Sequence, residues 1–161
     1  MILGVSTAAF TLFHVILSLV GIGSGFIVVF GLISAKRFPS WTALFLATTV
    51  LTSVTGFLFP FKGFTPGIVI GILSLIVLLL AIIARYGTHL AGMWRGTYVV
   101  ATLLALYFNF FVLIVQSFEK VPALKALAPT QSEAPFKVAQ LAALVLFVVL
   151  TTLAFKNFRK E

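Results

Sequence analysis

The chain has 161 residues, 61% of them hydrophobic and only 9% charged, with a mean hydropathy of +1.23. One soluble core of this size cannot hide so much apolar surface, so the chain reads as an all-α integral membrane protein, a single domain over 1–161 built as a bundle of about five transmembrane helices. Its lack of cysteine excludes disulfides, thiolate metal sites and thiol nucleophiles, and its net charge of +8 lies in short connections where it sets membrane orientation, so no nucleic-acid partner is expected.

The first apolar run covers about 8–33. No Lys or Arg precedes Lys36, so the positive leader of a secretory signal peptide is missing and the segment is expected to be retained. Lys36, Arg37 and Pro39 close it, and Trp41 opens the second segment, about 41–59, at interfacial depth. Pro60 and Pro66 bracket a short turn, which makes the second and third segments antiparallel neighbours, the third covering about 67–84. Arg85 and Arg95 flank the next connection, and the fourth segment covers about 96–118. The longest connection, 119–135, holds Glu119, Glu133 and three prolines but no apolar run able to span, so it lies at one surface. The fifth segment covers about 136–155 and leads into a basic tail.

Cations divide unequally between the two sides. Lys36, Arg37, Arg85, Arg95, Lys156, Arg159 and Lys160 fall on one, and Lys62, Lys120, Lys125 and Lys137 on the other. The positive-inside tendency makes the first set cytoplasmic, with the N-terminus outside and the C-terminus inside.

Polar groups inside a bilayer are costly unless partnered, so they mark the faces that look inward. Thr7, Thr11, His14, Ser18, Gly21 and Gly25 form one stripe on the first segment, and Trp94, Tyr98, Thr102, Ala105, Asn109 and Gln116 another on the fourth. Thr48, Thr52 and Thr55 share a face of the second segment, beside Thr49, Ser53 and Gly56. Gly21, Gly25, Gly67 and Gly71 carry the small-residue spacing of close helix pairs. At about 1.5 Å of rise per residue, His14 lies roughly 9 Å below the outer boundary, Asn109 roughly 14 Å, and Gln116 and Gln140 within roughly 6 Å. Where the first, fourth and fifth segments adjoin, these four are expected to converge on an outward-facing pocket lined also by Tyr107, Phe108 and Phe111. The competing reading is that each amide makes a hydrogen bond between helices and the glycines serve packing.

Several chemistries lack their groups. The two histidines, His14 and His89, sit at opposite sides, so one haem or metal cannot take both within a monomer. The three acids, Glu119, Glu133 and Glu161, all lie outside the apolar segments and no Asp is present, which argues against a carboxylate relay or a hydrolytic centre. In the long connection, Leu124, Leu127 and Ala128 suit a short amphipathic turn on the membrane surface. Thr130-Gln-Ser-Glu133 has the form of a capping box, with Pro135 delaying the helix start.

The stretch from Gln116 through Lys120-Val-Pro-Ala-Leu and Ala126-Leu-Ala-Pro-Thr-Gln-Ser-Glu133 resembles segments of small bacterial inner-membrane proteins that carry no assigned function. That resemblance covers a minor part of the chain and implies a bacterial plasma-membrane setting. Length and helix number are similar to the translocator protein family, which is tryptophan-rich; this chain has only Trp41 and Trp94, and no site is carried over.

The function expected is non-enzymatic: binding of a hydrophobic small molecule or lipid in the outer pocket, or service as an accessory subunit, with membrane lipids, other membrane subunits or further copies as partners. A small oligomeric channel or carrier is the alternative. A further one is a redox subunit holding quinone or haem, although no cofactor is required by the residues present.

Overall fold

The structure, a computed structural model, describes residues 1–60 and 63–158. The cations Lys62, Arg159 and Lys160 lie outside the described residues. Six helices are present among the described residues: α1 (Thr7–Ile33), α2 (Pro39–Gly56), α3 (Pro66–Ile82), α4 (Trp94–Lys120), the short α5 (Pro122–Leu127) and α6 (Ala134–Phe158). A π-helical turn, Ile83–Gly87, prolongs α3. The all-α membrane bundle expected from composition is what the chain forms.

Four of these helices, α1, α3 with its π turn, α4 and α6, are long and apolar enough to cross a membrane. The remaining long helix, α2, has 18 residues and is interrupted by threonines. It nevertheless accompanies α1 antiparallel, with Phe38 against Gly31, Phe45 against Gly25, Thr49 beside Gly21 and Thr55 bonded to His14. From Gly31 to His14 that contact runs roughly 26 Å along α1, most of the hydrocarbon thickness of about 30 Å. Its hydroxyls are tolerated because Thr48, Thr52 and Thr55 each donate to the carbonyl four residues earlier, at 2.7 Å in every case.

The five long helices close a ring in the order α1, α2, α3, α4, α6, with α1 and α4 also touching across the middle. The Asn157 amide fastens the closure by donating to the Ile33 carbonyl at 2.9 Å. The outside is apolar: Val138, Leu141, Val145 and Val148 expose a continuous lipid-facing stripe on α6. The inside holds Ser24, Thr42, Thr48, Thr49, Thr102 and Asn109 among tightly packed Leu, Val and Phe.

Prolines set the helix starts. Pro39 and Pro66 occupy the first turns of α2 and α3, where the missing N–H costs nothing. Pro135 sits in the first turn of α6 in the same way, so α6 starts at Ala134 rather than being delayed past the proline. The end of α2 comes earlier than hydropathy suggests, at Gly56. There the chain tightens through Phe57 N–H to Val54 and Leu58 N–H to Thr55.

Successive crossings leave one face of the bundle with the N-terminus and the connections after α2 and α4. The opposite face carries the α1–α2 and α3–α4 connections and the end of α6. The second is called the basic face here, since it holds Lys36, Arg37, Arg85, Arg95 and Lys156, while the described cations of the N-terminal face are Lys120, Lys125 and Lys137.

Candidate functional site

Towards the N-terminal face, the polar residues singled out by spacing take partners on neighbouring helices. The Thr55 hydroxyl already donates its single hydrogen to the Leu51 carbonyl, so at 2.7 Å from His14 Nδ1 it accepts from the ring. The imidazole also stands edge-on to Phe59, with centroids 5.2 Å apart. Asn109 faces α1: Ser18 Oγ donates to its Oδ1 at 2.9 Å, and its Nδ2 donates to the Ser18 carbonyl at 3.4 Å. Gly21 makes this approach possible, since a Cβ there would lie 3.1 Å from Thr49 Oγ1 and 3.3 Å from Asn109 Nδ2. Gln140 Nε2 reaches from α6 to the Phe111 carbonyl at 3.3 Å, and Gln131 Nε2 from the long connection to the Val115 carbonyl at 3.0 Å.

The expected set is therefore distributed over three interfaces. His14 is held between α1 and α2, Asn109 between α4 and α1, and Gln140 between α6 and α4. Gln116 is half-buried near the end of α4. Tyr107 packs on Phe147 of α6 at 5.4 Å and on Phe108 and Phe111 of its own helix at 6.0 and 6.3 Å. Of the glycines, Gly25 lets Leu106 and Phe45 close in, and Gly71 admits the Phe57 ring, but Gly67 is exposed with only Thr65 Oγ1 near it, at 3.8 Å.

A second polar group lies near the basic face. The hydroxyl of Tyr98, a fully buried residue, faces Thr42, Thr102 and Arg85 from three different elements without a close hydrogen bond to any of them. The π turn brings Arg85 here, its guanidinium 5.6 Å from the Tyr98 ring centroid. The turn then closes in a strained corner: His89 and Leu90 are both left-handed (φ 51° and 61°), and Leu90 N–H donates to Ala84 at 2.8 Å as its side chain enters the core.

Open space is found on the flanks of α4. One groove, about 980 Å³, runs between α3, the strained corner and α4, past Leu80, His89, Arg95 and Thr97. Another, about 460 Å³, separates α4 from α6, past Tyr107, Leu144, Phe147 and Lys156. Both take walls from Val100, Leu104 and Phe155. Phe155 comes this close to α4 because residue 96 is glycine: a Cβ there would lie 2.8 Å from the Phe155 ring.

Neither groove is lined by His14, Asn109, Gln116, Gln140, Phe108 or Phe111, while Tyr107 lines the second. Arg95, Gly96, Phe155 and Lys156 were not singled out by spacing as a site. Their one sequence signal is a glycine directly after an arginine at a helix start, which takes meaning only once α6 is known to lie beside it. Among the described residues, no group of three or more His, Asp or Glu side chains has the proximity to hold a metal ion. Compared with protein family models, curated proteins and solved structures, the chain matches none.

Proposed function

We propose that this chain is a non-enzymatic membrane protein that holds an apolar amphiphile, a lipid or hydrophobic small molecule, along the lipid-facing flanks of α4. The observation that carries the reading is the pair of grooves joined at Val100, Leu104 and Phe155. Both have volumes in the roughly 300–1,000 Å³ range of small-molecule sites. The second is almost wholly apolar in its walls, and both are walled by exposed apolar residues of the long apolar helices, among them Leu80, Val100, Leu104 and Leu144. The polar residues of the N-terminal half take part in helix pairing, which leaves the α4 flanks as the place for a ligand.

The setting proposed is a bacterial inner membrane with the basic face in the cytoplasm, supported by the cation asymmetry and by Tyr86 and Trp94, exposed at that level as interfacial aromatics are. A reporter fused to the C-terminus should be active only in the cytoplasm; activity outside reverses the orientation.

The binding reading is tested by extracting and weighing the molecules that co-purify with the protein. Val100 is exposed and belongs to both grooves, so Val100→Trp fills the shared centre without entering the core. Wild type should carry bound amphiphile and the variant should lose it at unchanged thermal stability. Equal retention by both would remove the grooves from the account.

A further inference from the structure

We infer that the occupant of the joined grooves is an anionic phospholipid of the surrounding bilayer, its phosphate at Arg95, Lys156 and His89 and its two acyl chains divided by the Phe155 ring. This rests on the binding reading above and names its ligand class.

Charge supplies the first argument. Arg95 and His89 stand at the basic end of the larger groove and Lys156 at the basic end of the smaller one, so donors of both grooves gather where the two meet the membrane surface. Among the described residues, the carboxylates Glu119 and Glu133 lie at the opposite face. A basic recess between helices at a membrane surface attracts anionic headgroups, each cation adding to the attraction.

Shape supplies the second. Below the cations the walls become aliphatic in both grooves, with Val77 and Leu80 in one and Leu144 and Val148 in the other. The two channels share Val100, Leu104 and Phe155 as walls, as the two chains of one lipid share a glycerol. A single-chain amphiphile leaves one channel empty. Arg95 lines the larger groove, and its guanidinium lies over the Phe158 ring, 5.8 Å from the centroid, which restricts the side chain there.

The corner carrying His89 fits this role. Two consecutive left-handed non-glycine residues are strained, and such strain gathers at sites where it fixes a functional side chain. Here it holds His89 on the rim while burying Leu90 beneath it.

The experiment is native mass spectrometry of the protein released from nanodiscs of equal parts phosphatidylglycerol and phosphatidylcholine. Wild type should leave with phosphatidylglycerol bound in preference to phosphatidylcholine by about thirtyfold, as expected for two cations near a headgroup. Arg95→Gln with Lys156→Gln should abolish the preference while lipid of either kind is still carried. Val100→Trp should lower both lipids. Retention of the two lipids in equal amounts by wild type, with both lost in Val100→Trp, would overturn the headgroup assignment and leave the groove reading standing. A lipid-free wild type, or a dimer that Val100→Trp separates, would overturn both.

Discussion

Ser18 and Asn109 join α1 to α4 by two hydrogen bonds in opposite directions, hydroxyl to amide oxygen and amide nitrogen to backbone carbonyl. An amide buried at mid-membrane is thereby satisfied by one partner residue. The pair is the polar tie across the middle of the ring. In a double-mutant cycle of Ser18→Ala and Asn109→Leu, unfolding in mixed micelles should give a coupling of about 0.6–1.7 kcal/mol, the range of such pairs between transmembrane helices. Additive losses would show that the two do not act on each other.

The opposite sign is expected at Tyr98. Its hydroxyl and that of Thr102 are buried without a close hydrogen bond, so each carries a desolvation cost that only longer polar contacts offset. Tyr98→Phe and Thr102→Val should leave the thermal midpoint unchanged or raise it. A loss of more than about 1 kcal/mol, the net worth of a typical hydrogen bond, would mean that these groups hold a partner such as an ordered water.

Gly25 and Gly67 share a helix-pairing spacing with their neighbours but not a packing role. A Cβ at Gly25 would lie 2.6 Å from Leu106 Cδ1 and 3.0 Å from the Phe45 ring. Gly25→Ala should therefore cost about 1–3 kcal/mol by overpacking. Gly67→Ala, in the first turn of α3, meets no such contact and should be neutral or slightly stabilising, because alanine narrows the unfolded chain's freedom. Equal effects of the two on unfolding would contradict this division.

Glu133 gives the long connection a pH dependence. Its carboxylate accepts from the Thr130 hydroxyl at 2.8 Å and from the Thr130 and Ser132 amides at 3.2 and 3.1 Å, and the hydroxyl above all holds its pKa below the ordinary glutamate value. Since the folded value is the lower one, the contribution is fully present above the ordinary value and is lost as the pH falls through the lowered one. Hydrogen exchange at the Thr130 and Ser132 amides, corrected for intrinsic rates, should show constant protection at neutral pH and lose it only on acidification. Glu133→Gln should remove that acid transition.

The same glutamate shows what spacing can and cannot reveal. Thr130 and Glu133 do pair, as a capping box requires, but the helix begins after Glu133, because Pro135 suits its first turn and could not follow deeper inside. Likewise the middle of the inner stripe of α4 was legible: Tyr98, Thr102, Ala105 and Asn109 are all buried, since an amide or hydroxyl inside a bilayer must turn inward, whereas Trp94 and Gln116 at its ends are exposed and half-buried. Which partner each one takes was not legible. His14 meets Thr55 and Asn109 meets Ser18 because α2 and α4 flank α1 on different sides, a fact of the ring order. The grooves lay further still from the sequence. They depend on Phe155 lying over Gly96, a contact between helices distant in the chain, and on a left-handed corner at His89 where neither residue is a glycine.

The most direct test of the account is a density map of the protein in lipid nanodiscs. Elongated density is expected on both flanks of α4, meeting over Phe155 and ending in a headgroup beside Arg95 and Lys156. Bare grooves amid an even annulus of lipid, or density concentrated instead between His14 and Asn109, would contradict it.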